Sequence, residues 1–92
     1  MKLDIVTPEG VLFAGDVDSV VVPGINGEFE ILNNHAPVIS ILDKGNIRIK
    51  GDNLIVEEDV IDEFIKGDYG LSLAINSGTV EVKNNKVIVL AE

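Results

Sequence analysis

Cysteine is absent from this sequence of 92 residues, and histidine occurs once. Without cysteine there is neither a disulfide framework nor a thiolate metal site. A single histidine leaves only carboxylates to complete a zinc site, so zinc is not expected. Basic side chains are also scarce, seven against sixteen acidic ones, and the formal net charge is −9. Because such a chain repels phosphate backbones and anionic lipid surfaces, nucleic acid is not expected as a partner.

Long apolar runs are missing as well. No segment approaches the roughly 20 apolar residues that a transmembrane helix needs. Residues 1–6 contain one lysine followed by an aspartate, which is typical of neither a signal peptide nor a transit peptide. Direct membrane insertion is therefore not expected. The length predicts a single domain over residues 1–92, and a hydrophobic fraction of 46% is enough for one modest core.

The apolar residues follow a strand pattern along most of the chain. In residues 45–51, Ile47 and Ile49 alternate with polar neighbours. Similar short stretches recur at the spacing of about eight to twelve residues that is typical of an all-β sandwich or barrel. The predicted strands cover residues 3–7, 11–15, 16–22, 29–32, 38–42, 45–51, 71–75, 80–83 and 86–90. The pattern therefore predicts an all-β fold.

Two asparagine-containing pairs mark predicted hairpins. Asn26-Gly27 follows an apolar run, and both residue types tolerate a positive φ angle. Asn84-Asn85 separates two short apolar stretches, and asparagine adopts the left-handed conformation more readily than most residues. We expect a tight turn between paired strands at each position.

The segment 51–68 departs from the strand pattern. It is strongly acidic, and its apolar residues fall at helical spacing: Val56, Val60, Ile61, Phe64 and Ile65. We expect a strand over residues 54–56 followed by a short helix within 57–65, with an extended hairpin through the whole segment as the alternative. Its acids lack the spacing of a calcium loop, and we interpret them as a solvated face.

Catalysis would have to involve His35. A nucleophilic triad would place it beside Ser19, Ser40, Ser72 or Ser77, and none of these serines has the G-x-S-x-G context of a nucleophile elbow. Residues 23–27 are rich in glycine but lack the G-K-[ST] ending of a phosphate-binding loop. The residues themselves therefore indicate an all-β interaction module without a catalytic site.

Several short motifs give the chain a resemblance to a known family. The motifs are Leu3-Asp4-Ile5-Val6-Thr7-Pro8-Glu9, Pro23-Gly24, Gly27-Glu28-Phe29, His35-Ala36-Pro37, Lys44-Gly45-Asn46-Ile47, Ser77-Gly78 and residues 85–91. Together they resemble the amino-terminal β-sandwich domain of the epsilon subunit of F-type ATP synthase. The resemblance covers about residues 1–50 and 69–92.

The resemblance implies a β-sandwich of two roughly five-stranded sheets and a non-catalytic role in the rotor. The domain would link the gamma subunit to the membrane c ring and support the coupling of proton or sodium flow to ATP synthesis. It would be peripheral on the cytoplasmic side of the bacterial cell membrane. The family pattern directs Glu28 toward the c ring. It directs His35, Ala36, Pro37 and Ser40 toward gamma, with Thr7 nearby.

One departure from the family bears on ligands. The family usually continues into a two-helix carboxy-terminal domain that can bind ATP, and this sequence ends at Glu92. We therefore expect no nucleotide binding by this chain and no cofactor. Two other functions stay open: a free-standing β-sandwich that binds a small ligand or sugar, and a small hydrolase that uses His35.

Overall fold

The computed structural model describes residues 1–68 and 70–92, and the regular structure of these residues consists of β-strands and one 3-10 turn at Ile61–Glu63. The strands are β1 (Lys2–Thr7), β2 (Gly10–Asp16), β3 (Ser19–Gly24), β4 (Gly27–Leu32), β5 (Val38–Leu42), β6 (Gly45–Lys50), β7 (Phe64–Gly67), β8 (Gly70–Ile75), β9 (Gly78–Lys83) and β10 (Lys86–Ala91). The all-β prediction is confirmed.

The strands divide into two halves of five. Half I has the order β2-β1-β10-β9-β5, and half II has the order β4-β3-β6-β8-β7. Neighbouring strands are antiparallel except for β1 and β10, which are parallel. The predicted sandwich of two five-stranded sheets is therefore confirmed, with one difference. The halves are hydrogen-bonded to each other and form one curled sheet.

The connection between the halves is a short seam between β3 and β5. Gly24 pairs with Leu42 at the ends of the two strands. Two further backbone bonds flank this pair: the Ile25 amide donates to the Ile41 carbonyl (3.2 Å), and the Asp43 amide donates to the Pro23 carbonyl (2.8 Å). Pro23 therefore extends β3 past the predicted end at residue 22. Proline is tolerated at such a strand end, where only its carbonyl is needed.

The core lies between the two halves. Alternate residues of the central strands point inward and are fully buried, as Leu3 and Ile5 are in half I and Ile47 and Ile49 are in half II. This period of two, set by the pleat of a strand, is the signal from which the strands were predicted. Both halves contribute to one continuous apolar cluster.

Both predicted hairpins are present. Asn84 and Asn85 have φ angles of 52° and 60°, as a two-residue turn of mirror-image type requires. In the β3–β4 hairpin the turn residues are Ile25 and Asn26, and the positive φ angle (118°) is found at Gly27. Asn26 lies in the turn without a positive φ angle, and the hairpin itself is correctly predicted.

The segment 51–63 differs from its prediction. Residues 54–56 are not in a strand, and the helix within 57–65 is reduced to the 3-10 turn. Residues 64–67 form β7, although the helical spacing of Phe64 and Ile65 had indicated a helix there.

The apolar spacing of this segment has a different origin. Leu54 and Val56 pack against the core, and Val60 borders a hollow shared with Leu12 of β2 and Leu73 of β8. The segment therefore closes the side of the sandwich opposite the seam, between the β2 edge of half I and the β7–β8 edge of half II.

Candidate docking surfaces

The outer face of half I carries a row of apolar side chains. Strand register places five outward residues side by side, one from each strand, in the order Ile41, Thr79, Leu90, Val6 and Val11. Four of the five are apolar. Ile41 and Val11 are each 58% exposed, and Leu90 is 54% exposed. Large apolar side chains that adjoin one another at the surface are typical of an interaction site. This set is called the apolar row.

The same face changes character along the strands. The next outward row contains Ile39, Glu81, Ile88, Asp4 and Ala14. Ile39 is the most exposed large apolar side chain among the described residues, at 76%. The third row contains Lys83, Lys86 and Lys2, with Asp16 beyond Lys2. Half I is thus apolar at one end of its outer face and basic at the other.

The outer face of half II is mainly polar, and its exposed apolar side chains Leu32 and Ile65 lie apart, on the edge strands β4 and β7. Glu28 and Glu30 project from β4, and Arg48 and Lys50 project from β6. Arg48 Nη2 donates to Glu28 Oε1 at 3.1 Å, and both side chains are about half exposed (42% and 54%). The Arg48 Nε atom is buried and has no hydrogen-bond partner within the described chain. The residue predicted to face the c ring is therefore engaged by a cation of its own chain.

The predicted contact residues lie at opposite ends of the sandwich. The end called the Glu28 end contains Thr7, where β1 stops, and Glu28, which pairs with Pro23 beside the seam. The end called the His35 end contains the loop between β4 and β5, with His35, Ala36 and Pro37. The length of β5 alone separates the two ends by about 13 Å, at about 3.3 Å per residue.

Backbone and side-chain hydrogen bonds order the His35 loop. The His35 amide donates to the Leu32 carbonyl (3.1 Å), and His35 Nδ1 lies 2.7 Å from the Ala36 carbonyl oxygen. Asn34, which has a φ angle of 64°, donates its amide to Asn85 Oδ1 at 2.8 Å. The last bond links the loop to the β9–β10 turn. His35 is half-buried, whereas Ala36 and Pro37 are exposed.

Thr7 and Ser40 lie outside the His35 loop, at the end of β1 and within β5. Thr7 Oγ1 donates to the Gly10 carbonyl (3.1 Å) and accepts the Glu9 amide (3.3 Å), so its hydroxyl orders the β1–β2 turn.

Ser40 lies on the same side of β5 as the inward residue Leu42. The outward residues of β5 are Ile39 and Ile41, which sequence reasoning missed. The available signal was that four of the five residues of β5 are apolar and occupy both of its faces, one of which had to be exposed.

Within residues 1–68 and 70–92, no serine hydroxyl is hydrogen-bonded to the His35 ring. The described acidic and histidine side chains form no group of three or more that could hold a metal ion. In the same part of the chain, no helix is long and apolar enough to cross a membrane.

The fold and its surfaces define a β-sandwich domain with one apolar outer face. Residues 1–92 match the family described as the ATP synthase Delta/Epsilon chain, β-sandwich domain. The chain therefore belongs to this family, and the resemblance inferred from its motifs is confirmed.

Relatives of known name agree with this assignment. The ATP synthase epsilon chain of Desulforamulus reducens is 37% identical over 91 residues, covering 99% of this chain and 58% of the relative. That of Campylobacter concisus is 41% identical over 92 residues, covering 100% and 60%. That of Chlorobium limicola is 38% identical over 91 residues, covering 99% and 88%. The chain thus spans about 60% of the first two relatives and most of the third.

A solved structure supports the fold. A chain from the cryo-EM structure of the Tetrahymena thermophila mitochondrial ATP synthase central stalk and c ring superposes with a TM-score of 0.72. The match covers 99% of this chain and 62% of that chain, at 17% sequence identity.

Proposed function

We propose that this chain is a non-catalytic subunit of the ATP synthase central stalk, where it links the gamma subunit to the c ring. The observation that carries the proposal is the exposed apolar row on half I, in a chain that belongs to the epsilon family. A member of an assembly needs a surface that prefers protein to water, and the apolar row provides one.

The outer face of half I is the proposed site for gamma. Its apolar row crosses five strands, which at about 4.8 Å per strand makes it about 19 Å long. Ile39 extends the apolar surface toward the His35 loop. A row of this length suits a helix of the partner laid across the strands, with Leu90 as its central anchor and Ile41 as an anchor at the β5 end. The predicted gamma contacts His35, Ala36, Pro37 and Ser40 flank this face, and Thr7 lies at its other end, beside Ile41 in one open groove.

Glu28 is the proposed contact with the c ring. It is exposed at the Glu28 end, on the half that does not carry the apolar row. Arg48 donates a hydrogen bond to one carboxylate oxygen of Glu28. A basic residue of the c ring would interact with the same carboxylate from the solvent side. Such a contact sets orientation more than affinity.

Rigidity of the domain fits a role in transmitting torque. The seam joins the two halves by backbone hydrogen bonds, and the segment 51–63 closes the opposite side. A sandwich closed on both sides resists shear between its layers. A contact with the c ring would also keep the chain peripheral on the cytoplasmic side of the bacterial membrane, with protons or sodium ions moving through other subunits.

Complex formation tests the proposal. The chain and the gamma subunit of the same organism are mixed and separated by size-exclusion chromatography. We expect a stoichiometric complex that elutes ahead of either component. Independent elution of the two proteins at micromolar concentrations, with both shown to be folded, would refute the role in the stalk.

A further inference from the structure

The lysines of this chain are distributed unevenly over its surface. Lys2, Lys83 and Lys86 occupy adjacent register positions on β1, β9 and β10, and all three are exposed. They make up half of the six lysines in a chain with a net charge of −9. This set is called the lysine row. It lies at the His35 end of the outer face of half I, two outward rows away from the apolar row.

The lysine row is not neutralised within the described chain. Asp16 lies opposite Lys2 in the register of β1 and β2 but forms no ion pair with it. Within residues 1–68 and 70–92, the only ion pair joins Glu28 to Arg48, on the other half. The three ammonium groups are therefore available to an external carboxylate.

The surroundings of the lysine row are ordered. Lys83 and Lys86 flank the Asn84-Asn85 turn, and Asn85 Oδ1 accepts the Asn34 amide of the His35 loop at 2.8 Å. Lys83 also borders a groove that contains Pro37 and Ile39. The lysine row thus adjoins both the predicted contact loop and the most exposed isoleucine of the face.

We propose that the surface of gamma that covers half I carries carboxylates over the lysine row and apolar side chains over the apolar row. This inference rests on the proposed function, since it concerns the partner of the same face. The argument is charge complementarity: a basic strip on an otherwise acidic protein attracts a local concentration of negative charge. The two rows lie about 13 Å apart, four residues along the strands. Together they specify which end of the partner segment faces the His35 end.

The test compares two triple variants that change the net charge by the same amount. One is Lys2→Glu, Lys83→Glu, Lys86→Glu, which reverses the lysine row. The control is Lys44→Glu, Lys50→Glu, Lys66→Glu, which reverses the remaining three lysines, all outside this face. The Kd for immobilised gamma subunit is measured at about 0.1 M and about 1 M salt, where the Debye length is about 10 Å and about 3 Å.

We expect reversal of the lysine row to weaken binding at least about tenfold at the lower salt concentration, because three opposing pairs become like-charge pairs. At the higher salt concentration most of this difference should disappear. The control variant should bind within about threefold of the unmodified chain, since its charges lie away from the face. If reversal of the lysine row leaves the chain unfolded, the neutral variant Lys2→Gln, Lys83→Gln, Lys86→Gln is used and should show a smaller loss in the same direction.

Other outcomes separate this inference from the proposed function. If gamma binds and neither variant loses affinity, or both lose it equally, the inference is overturned while the proposed function stands. If the unmodified chain dimerises through this face and the lysine variant is monomeric, the occupant is a second copy, and the inference is again overturned. Absence of any gamma binding by the unmodified chain overturns both.

Discussion

The two halves of the sandwich have the same strand number and the same kind of inner face, yet their outer faces differ. Half I exposes Ile39, Ile41 and Leu90 close together, whereas half II exposes Glu28 and Arg48 joined as an ion pair. The exposed apolar residues of half II, Leu32 and Ile65, are isolated from each other on opposite edge strands. The inner faces are alike because both must fill one core. The outer faces are not constrained by the core. Their different compositions therefore indicate whether water or a partner protein contacts each face. An exposed ion pair suits water, and a continuous apolar row suits a partner.

The largest expected effect concerns what the halves share. Ile5 of half I and Ile49 of half II are both fully buried. Changing either to alanine should lower the free energy of unfolding by about 2–5 kcal/mol, through lost apolar burial and the cavity left behind. Urea denaturation followed by circular dichroism measures both variants. A single transition in each is expected, because the seam and the common core couple the halves. Two separate unfolding transitions would show that the halves are independent units.

The next effect should distinguish the outer faces. Ile41→Asp alters the apolar row, and Ile65→Asp is the matched control, because Ile65 is an isoleucine on β7 of half II with 69% exposure. We expect Ile41→Asp to weaken gamma binding at least about a hundredfold, because a carboxylate would be buried under the partner in place of an apolar anchor. Ile65→Asp should leave binding unchanged. Titration calorimetry gives both affinities, and equal losses would remove the functional distinction between the faces.

A smaller effect is expected at the c ring. Glu28→Lys places a cation beside Arg48 and opposite any basic residue of the ring. We expect affinity for the c ring to fall several-fold at low salt, which corresponds to about 1 kcal/mol of binding free energy. Less of the chain should then co-purify with the ring. Glu30→Lys makes the same charge change two residues along β4 and serves as the control. Equal behaviour of the two variants at every salt concentration would show that position 28 has no specific contact.

The smallest effect isolates one hydrogen bond of the His35 loop. Asn85→Gly keeps the positive φ angle of its turn but removes the oxygen that accepts the Asn34 amide. Asn84→Gly makes the same change at the neighbouring turn position, where the side chain has no such bond. We expect Asn85→Gly to be less stable than Asn84→Gly by about 0.5 kcal/mol, at the low end for a hydrogen bond because this one is exposed. Thermal unfolding of the two variants measures the difference, and equal stability would mean that the bond does not hold the loop.

Alternation of apolar residues was sufficient to predict most strands. The exception was β7. Its first two residues, Phe64 and Ile65, continue the helical spacing of Val56, Val60 and Ile61 in the acidic segment before it, so a helix was predicted there. Val56 and Val60 have this spacing because they cover the gap between two strand edges. A sequence does not distinguish that arrangement from a helical stripe, since both require one apolar residue every three or four positions.

The docking surface was only partly predictable for a related reason. Glu28 and His35 were recognised through family motifs. The apolar row was not, because it depends on register: Val6, Leu90 and Ile41 are distant in sequence and become neighbours only when β1, β10, β9 and β5 pair. Apolar side chains on both faces of a strand indicate that one face is exposed, but pairing decides which residues share it.

The central claim is that gamma covers the outer face of half I and does not cover that of half II. Because the chain has no cysteine, single cysteines at Ile39 and Ile65 provide clean probes on the two faces, at 76% and 69% exposure. Maleimide labelling rates are measured for Ile39→Cys and Ile65→Cys with and without saturating gamma subunit. We predict that gamma slows labelling at position 39 at least about tenfold and leaves position 65 unchanged, since interface cores exclude water. Equal rates at both positions, or protection at position 65 alone, would contradict the account.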